Sequence, residues 1–278
     1  MSLKELASYI DYSVLKPEFT EDQIVELTKD GVELGCATIC INPGYMELCR
    51  PYVEGSETKL CPVCDFPFGT SSTESKVAQA KILVDHYADV IGELDIVANF
   101  GWIRSGKYDA VTQDIKAVVD VCHEKSIPVK VIFETDALNE EQVRKACHCA
   151  MDAKADFVKT STGFLTGFEA HGATPEIIKV MQEEVGDAHD FFRLNAIACR
   201  HGFYCFPLVD SRLHQLQKII LGAGHIQLAL KFSSKILPHS LKLLHLGHNK
   251  YFIGSLIRVI NSVTNSRGLN TTNFAVHA

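Results

Sequence analysis

A lysine stands at the carboxyl end of a short apolar run in the segment ADFVKTSTG, where three hydroxyl residues and a glycine follow it. Burial of Lys159 beside Phe157 and Val158 would strip water from its ammonium and favour the neutral amine, which is a nucleophile. The hydroxyls and backbone N–H groups after it are of the kind that hold a phosphate or a hydroxylated substrate. A solvated lysine at the end of a strand is the alternative interpretation.

The strands predicted in this chain would turn polar side chains toward a common interior. In a barrel strand, alternate residues face the interior and the others face the helices. Because buried charges are costly unless they are paired, we expect the two aspartates and two lysines of the inward set to form a linked group near the carboxyl ends of the strands. A purely structural cluster of ion pairs is the alternative. The inward residues are Asp11, Thr38, Cys40, Asp95, Lys130, Glu134 and Lys159.

Such a linked group suits carbonyl chemistry. The ammonium of Lys130 would favour loss of the proton from Lys159 by like-charge repulsion, while Asp95 would hold or relay a proton. An uncharged Lys159 can add to a carbonyl and form a Schiff base. The residues therefore predict covalent catalysis by a lysine.

Length and composition are ordinary for a globular protein. The chain has 278 residues, of which 46% are hydrophobic and 22% charged, enough for one α/β barrel of about 250 residues. It contains no run of about 18 apolar residues and no apolar stretch behind a basic start. We therefore expect a cytoplasmic protein with no membrane partner, whose cysteines are reduced thiols.

Up to about residue 188 the sequence alternates short β-rich runs with amphipathic stretches, which predicts βαβ units and a parallel sheet. Thr20, Asn139 and Thr174 have the sequence context of helix N-caps, and Gly35 can end the first of these helices. Pro175 after Thr174 suits the first position of a helix. Six strands are predicted, in residues 8–15, 37–42, 59–66, 92–100, 128–135 and 156–161.

The composition changes close to residue 188. Glu184 is the last glutamate and Asp210 is the only acidic residue after Asp190, while lysine, arginine and histidine continue to the end of the chain. Residues 189–278 show no clear succession of strand, cap and amphipathic helix, although residues 201–209 could form a strand. We predict barrel units one to six in residues 1–188 and an atypical basic, histidine-rich region in residues 189–278. Its cations are scattered among apolar residues, so we expect no nucleic-acid partner.

The cysteines do not predict a metal site. Cys61 and Cys64 lie three apart on a predicted strand and would point to opposite faces, whereas Cys147 and Cys149 would lie about 200° apart on a helix. Neither pair can readily chelate one ion, so we predict no metal. We interpret Cys40 as a packed thiol.

The chain resembles the deoxyribose-phosphate aldolases, a family of class I aldolases on a (β/α)8 barrel, in the stretches IDYSVLKP, ATICINP, GELDIVANFGWIRSG, PVKVIFET, ADFVKTSTGF and ATPEIIKVM. These occur in order between about residues 7 and 188. The resemblance implies cleavage of 2-deoxy-D-ribose 5-phosphate to D-glyceraldehyde 3-phosphate and acetaldehyde, without a metal or another cofactor. It makes Lys159 the Schiff-base lysine, Asp95 the proton-relay aspartate and Lys130 a further catalytic residue. It places Asp11, Cys40, Thr160 and Gly163 on the substrate side.

The resemblance stops before units seven and eight. The family's seventh strand carries a second lysine followed by a small residue and two glycines, and its eighth strand ends in a phosphate-binding Gly-x-Ser segment. This chain has no Gly-Gly pair, and residues 253–255 are only a faint counterpart of the second motif. We hypothesise that residues from about 189 derive from a shifted reading frame, and we expect weak turnover. A catalytically inactive, barrel-derived binding or oligomerisation module is the alternative, and a homo-oligomer is compatible with both.

Overall fold

A computed structural model describes residues 7, 8, 10–185 and 193–195, the last three by their backbone alone. Within these ranges seven short strands alternate with helices, and the first six lie inside the six predicted segments. The strands are β1 (Asp11–Val14), β2 (Thr38–Ile41), β3 (Lys59–Cys64), β4 (Leu94–Val97), β5 (Val129–Ile132), β6 (Phe157–Lys159) and β7 (Arg193–Asn195).

Two helices begin, and one of them ends, at capping residues that the local sequence indicates. Thr20 caps the first helix in a capping box with Gln23, and Gly35 ends it in the left-handed conformation at φ 73°. Asn139 forms the same kind of box with Gln142. The helices are α1 (Glu21–Leu34), α2 (Met46–Val53), α3 (Thr73–Tyr87), α4 (Phe100–Arg104), α5 (Tyr108–His123), α6 (Glu140–Asp152) and α7 (Pro175–Val185), with 3₁₀ turns at Pro43–Tyr45 and Thr135–Ala137.

The strands form one parallel sheet in the order in which they occur along the chain, β1 to β7. With a helix between successive strands the sheet curls into part of a barrel, which confirms the predicted (β/α)8-barrel fold class. A seventh strand, which the sequence did not reveal, pairs in parallel with β6 and aligns Lys159 with Asn195.

The side chains of the strands alternate between the helices and the interior of the sheet. Ile39 and Tyr12 face α1, because a Cβ atom added at Gly31 of that helix would lie 2.3 Å from Ile39 Cδ1 and 3.2 Å from Tyr12 Cγ. The intervening residues Asp11 and Thr38 contact each other on the inner side, where the Thr38 hydroxyl donates to Asp11 at 2.6 Å. The apolar core therefore lies between sheet and helices, and the polar residues are left inside.

None of the helices in the described ranges is long and apolar enough to cross a membrane. The strand considered at residues 201–209 and almost all of the region 189–278 lie outside the described residues. The division at residue 188 and the cytoplasmic location stay predictions.

Candidate active site

Lys159 is the last residue of β6, and its side chain is 0% exposed. Its Nζ atom contacts the Oδ2 atom of Asp95 on β4. The burial rules out a solvated lysine at the end of a strand. The lysine instead lies inside the sheet, paired in register with Ile132 of β5.

Asp95 lies between two lysines. Its Oδ2 atom contacts Lys159, and its Oδ1 atom lies 3.1 Å from Lys130 Nζ. The Cys61 thiol donates a third contact to Oδ1 at 3.2 Å. Burial by itself would raise the pKa of Asp95, but Lys130 and then Lys159 outweigh it and hold that pKa below its ordinary value. Asp95 is therefore a carboxylate at neutral pH.

Lys130 on β5 forms ion pairs with three carboxylates of this group. Its Nζ atom lies 3.0 Å from Asp11 Oδ2 and also contacts Glu93 Oε2. Burial alone would lower the pKa of Lys130, but Asp11, Asp95 and Glu93 raise it well above the usual range. Lys130 therefore carries a fixed positive charge beside Asp95.

The structure thus joins the two aspartates and two lysines that strand alternation turned inward. We call Asp11, Cys61, Glu93, Asp95, Lys130 and Lys159 the lysine–carboxylate network. Its connections run from Thr38 through Asp11 to Lys130, and from Lys130 through Asp95 to Lys159. A buried group of this kind can pass a proton between a lysine and a neighbouring carboxylate.

Two members of the network were not singled out from the sequence. Glu93 lies two residues before Asp95, so the same alternation that turned Asp95 inward was a signal for Glu93 as well. Burial raises the pKa of its carboxyl, and Lys130 opposes that effect. Cys61 was considered only as a metal ligand, although it shares a strand face with Val63. Burial raises the pKa of the Cys61 thiol well above its usual range, so it remains a hydrogen-bond donor.

Cys40, Cys61 and Asp95 place three atoms that can ligate a metal within 4.8 Å of one another. Both carboxylate oxygens of Asp95 already contact lysines, and the Cys61 thiol keeps its proton. This donor set therefore does not fit a divalent cation, because the neighbouring positive charges would repel it. Cys40 packs in a buried cluster with Leu15, Cys61 and Val63, as expected for a packed thiol.

The two cysteines of the CPVC segment point to opposite faces of β3, as predicted. Cys61 contacts Asp95 inside the sheet, whereas Cys64 lies 3.5 Å from the Lys76 carbonyl on α3. They cannot share one metal ion.

The residues after Lys159 form the start of the loop between β6 and α7, residues 160–174. Thr160 is buried, and its carbonyl accepts a hydrogen bond of 2.9 Å from the Thr135 N–H. Gly163 is exposed and has φ 84°, a conformation that favours glycine. Thr160 and Gly163 follow Lys159 by one and four positions in the sequence.

Parallel strands in sequential order around a buried lysine and carboxylate are typical of barrel enzymes that use a lysine as nucleophile. Comparison with known proteins gives the particular family. The chain belongs to the DeoC/LacD family of aldolases, whose sequence profile matches residues 6–203. This match extends past residue 188 and includes β7.

Individual relatives agree with this family. The chain is 46% identical over 186 residues to the deoxyribose-phosphate aldolase of Clostridium perfringens (strain SM101 / Type A), covering 67% of this chain and 80% of that protein. It is 43% identical over 184 residues to that of Thermococcus gammatolerans, covering 66% and 79%. The deoxyribose phosphate aldolase structure from Aeropyrum pernix has a TM-score of 0.66 at 23% identity over 85% of this chain and 94% of that one, a likeness of fold.

Proposed function

We propose that this chain is a class I aldolase that cleaves 2-deoxy-D-ribose 5-phosphate to D-glyceraldehyde 3-phosphate and acetaldehyde. The observation that carries the proposal is the buried contact between Lys159 and Asp95, inside the stretch that matches the aldolase family. The relatives named above as deoxyribose-phosphate aldolases support the choice of substrate.

In this reaction the Lys159 amine attacks the aldehyde carbon C1 of the open-chain sugar. The carbonyl oxygen leaves as water, and a protonated imine forms. The imine then draws the electron pair of the C2–C3 bond onto nitrogen while the C3 hydroxyl loses its proton. That step releases glyceraldehyde 3-phosphate and leaves an enamine. Protonation of C2 and addition of water to C1 release acetaldehyde and restore the amine.

Asp95 and Lys130 have different roles in this scheme. Asp95 is ionised and contacts Lys159, so it accepts the proton that the nucleophile must lose and can return it later. Lys130 stays charged because three carboxylates surround it, and its positive charge keeps Asp95 ionised between turnovers. Lys159, Asp95 and Lys130 are thus the proposed catalytic residues.

The substrate side is proposed to involve Asp11, Cys40, Thr160 and Gly163. Asp11 would act through Lys130, because Thr38 and Lys130 already engage its two oxygens. The hydroxyls and backbone N–H groups from Thr160 to Gly163 are suited to hydroxyl or phosphate oxygens.

We expect the turnover to be weak. The sequence carries no Gly-Gly pair. The glycine segment that follows the second lysine in the deoxyribose-phosphate aldolases therefore has no counterpart here. Chemistry at Lys159 would then be retained while binding of the sugar phosphate is poor. A homo-oligomer stays a prediction, which sedimentation of the purified chain can test.

Product formation in the presence and absence of a chelator tests this proposal. The chain is incubated with 2-deoxy-D-ribose 5-phosphate, and D-glyceraldehyde 3-phosphate is measured with and without EDTA. Slow product formation that EDTA leaves unchanged and that Lys159→Arg abolishes is expected. Product formation that disappears with EDTA would contradict a lysine mechanism, and absence of both product and covalent adduct would favour the non-catalytic module.

A further inference from the structure

Glu134 is a buried carboxylate two residues after the end of β5, and the proposed reaction does not use it. It is 2% exposed, and its backbone has φ 58° and ψ 62°. A left-handed conformation is costly for a residue other than glycine, so such strain persists only where the surrounding contacts enforce it. The contacts that accompany this conformation are made with residues 159–162.

Regular pairing of β5 with β6 ends at Ile132 and Lys159. Beyond it, the Phe133 N–H donates to the Lys159 carbonyl at 3.0 Å, and the Thr135 N–H donates to the Thr160 carbonyl at 2.9 Å. The turn at Glu134 therefore brings the backbone on both of its sides against the residues that follow the lysine.

The Glu134 side chain holds the next position of the loop. Its two carboxylate oxygens each lie 3.3 Å from the Thr162 N–H, and Oε2 also accepts from the Thr162 hydroxyl. The Thr162 hydroxyl oxygen in turn accepts from the Phe164 N–H at 3.0 Å. Glu134 thus fixes Thr162, and Thr162 fixes Phe164.

Phe164 connects this chain of contacts to the interior. Its ring packs on the buried cluster that contains Cys40 and Cys61, and it meets Phe66 edge to face with centroids 5.4 Å apart. Cys61 donates to Asp95. The segment held by Glu134 therefore covers the inner face beside the lysine–carboxylate network.

We propose that Glu134 is a positioning residue, which holds residues 160–164 in the conformation that receives the hydroxylated part of the substrate beside Lys159. The proposal rests on the aldolase function proposed above and adds a carboxylate outside the lysine–carboxylate network, with a separate task. Burial raises the pKa of Glu134, and the bonds from Thr162 oppose that effect.

The test measures the loop and the substrate separately. Glu134→Gln keeps the shape of the side chain but leaves only one oxygen to accept from the Thr162 N–H and hydroxyl. Thr162→Val removes the hydroxyl, whereas Thr162→Ser keeps it. Glu57→Gln, at an exposed position, is the matched control. We expect faster amide hydrogen exchange in residues 160–168 for Glu134→Gln and Thr162→Val. Thr162→Ser and Glu57→Gln should exchange as the unmodified chain does.

Borohydride trapping gives the second readout. The half-saturating concentration of 2-deoxy-D-ribose 5-phosphate should rise about tenfold in Glu134→Gln, whereas that of acetaldehyde, which lacks the hydroxylated part, should change less than about threefold. Unchanged exchange, or equal changes for both aldehydes, would overturn the role of Glu134. An unmodified chain that traps neither aldehyde would instead refute the aldolase function, and this proposal with it.

Discussion

The Nζ atom of Lys130 lies 3.1 Å from the Oδ1 atom of Asp95, while the other oxygen of the same carboxylate contacts Lys159. One carboxylate therefore serves two lysines that have different surroundings. Lys130 has two further carboxylate partners, Asp11 and Glu93, which secure its charge. In the proposed reaction, the proton that moves is the one on Lys159.

Replacement of this shared carboxylate should stop the chemistry. In Asp95→Asn the amide oxygen can accept from only one of the two lysines, and the NH₂ group faces the other lysine. We expect adduct formation at Lys159 to slow by at least about a hundredfold, the usual scale for loss of an acid–base group. Asp120→Asn, at a surface position that is 59% exposed, is the control. A rate within threefold of the unmodified chain would refute the proton role of Asp95.

The lowered pKa of Asp95 sets the direction of a pH effect on stability. A carboxyl whose pKa is lower in the folded state stabilises the fold fully above its unfolded value of about 3.9, and this contribution is lost as the pH falls through the folded value. The difference in free energy of unfolding between the unmodified chain and Asp95→Asn should be constant from pH 5 to 7 and shrink below about pH 4. Urea unfolding across this range measures it. A difference that grew toward acid would show the opposite shift.

A second buried ion pair lies outside the network, between Lys76 on α3 and Asp114 on α5. The two side chains are 1% and 2% exposed and 2.6 Å apart, and Lys76 also donates to the Val97 carbonyl at 3.1 Å. Lys76→Met leaves Asp114 buried without this cation and should lower the free energy of unfolding by about 3–5 kcal/mol.

The double variant Lys76→Met/Asp114→Leu should recover much of that loss, because the fully buried Asp114 carboxylate is removed together with its cation, while Asp65, 3.6 Å from Lys76 and 11% exposed, keeps its hydrogen bonds from Ser71. Lys116→Met breaks an exposed pair on the same helix α5 and should leave stability close to that of the unmodified chain. Thermal and urea unfolding of the three variants give the comparison. A double variant no more stable than Lys76→Met would mean that packing, and not the charge, causes the loss.

Gly69 allows close approach to the end of β4. Its φ is +66°, and an added Cβ atom would lie 2.6 Å from the Ala98 carbonyl oxygen and 2.8 Å from that of Val97. Gly55 has a similar φ of +76°, but an added Cβ would meet no atom within 4 Å. Gly55→Ala should cost about 1–2 kcal/mol from the backbone alone, and Gly69→Ala should cost clearly more. Equal losses in urea unfolding would show that the close approach is unimportant.

Much of the fold and the centre of the site could be predicted because strand alternation is a strict rule. The positions of Asp95 and Lys130 relative to their apolar neighbours fixed the direction of both side chains, and cap residues such as Thr20 and Asn139 marked helix starts. The convergence of two lysines and two aspartates followed from these local patterns.

The remaining features depend on properties that local patterns do not encode. The contact between Glu134 and Thr162 requires a left-handed backbone at a glutamate, which no residue preference indicates. Glu93 lies within the predicted strand 92–100 and on its inward side by alternation, but its contact with Lys130 could not be inferred from the strand pattern alone. The three-residue strand β7 lies where the sequence shows no strand pattern, and it forms by pairing with β6.

The central claim is that the buried amine of Lys159 forms an imine with an aldehyde. The chain is incubated with acetaldehyde, reduced with borohydride and digested with trypsin, and the masses of the peptides are measured by mass spectrometry. Lys159→Arg, which keeps the charge but cannot form the imine, and Lys145→Arg, at an exposed position, serve as matched controls.

The account predicts that one ethyl group replaces a hydrogen of the Lys159 amine, a net gain of C2H4, and that tryptic cleavage after that residue is blocked, in the unmodified chain and in Lys145→Arg. Lys159→Arg should lose this adduct. An unmodified Lys159 in the folded chain, or an adduct that survives in Lys159→Arg, would contradict the account.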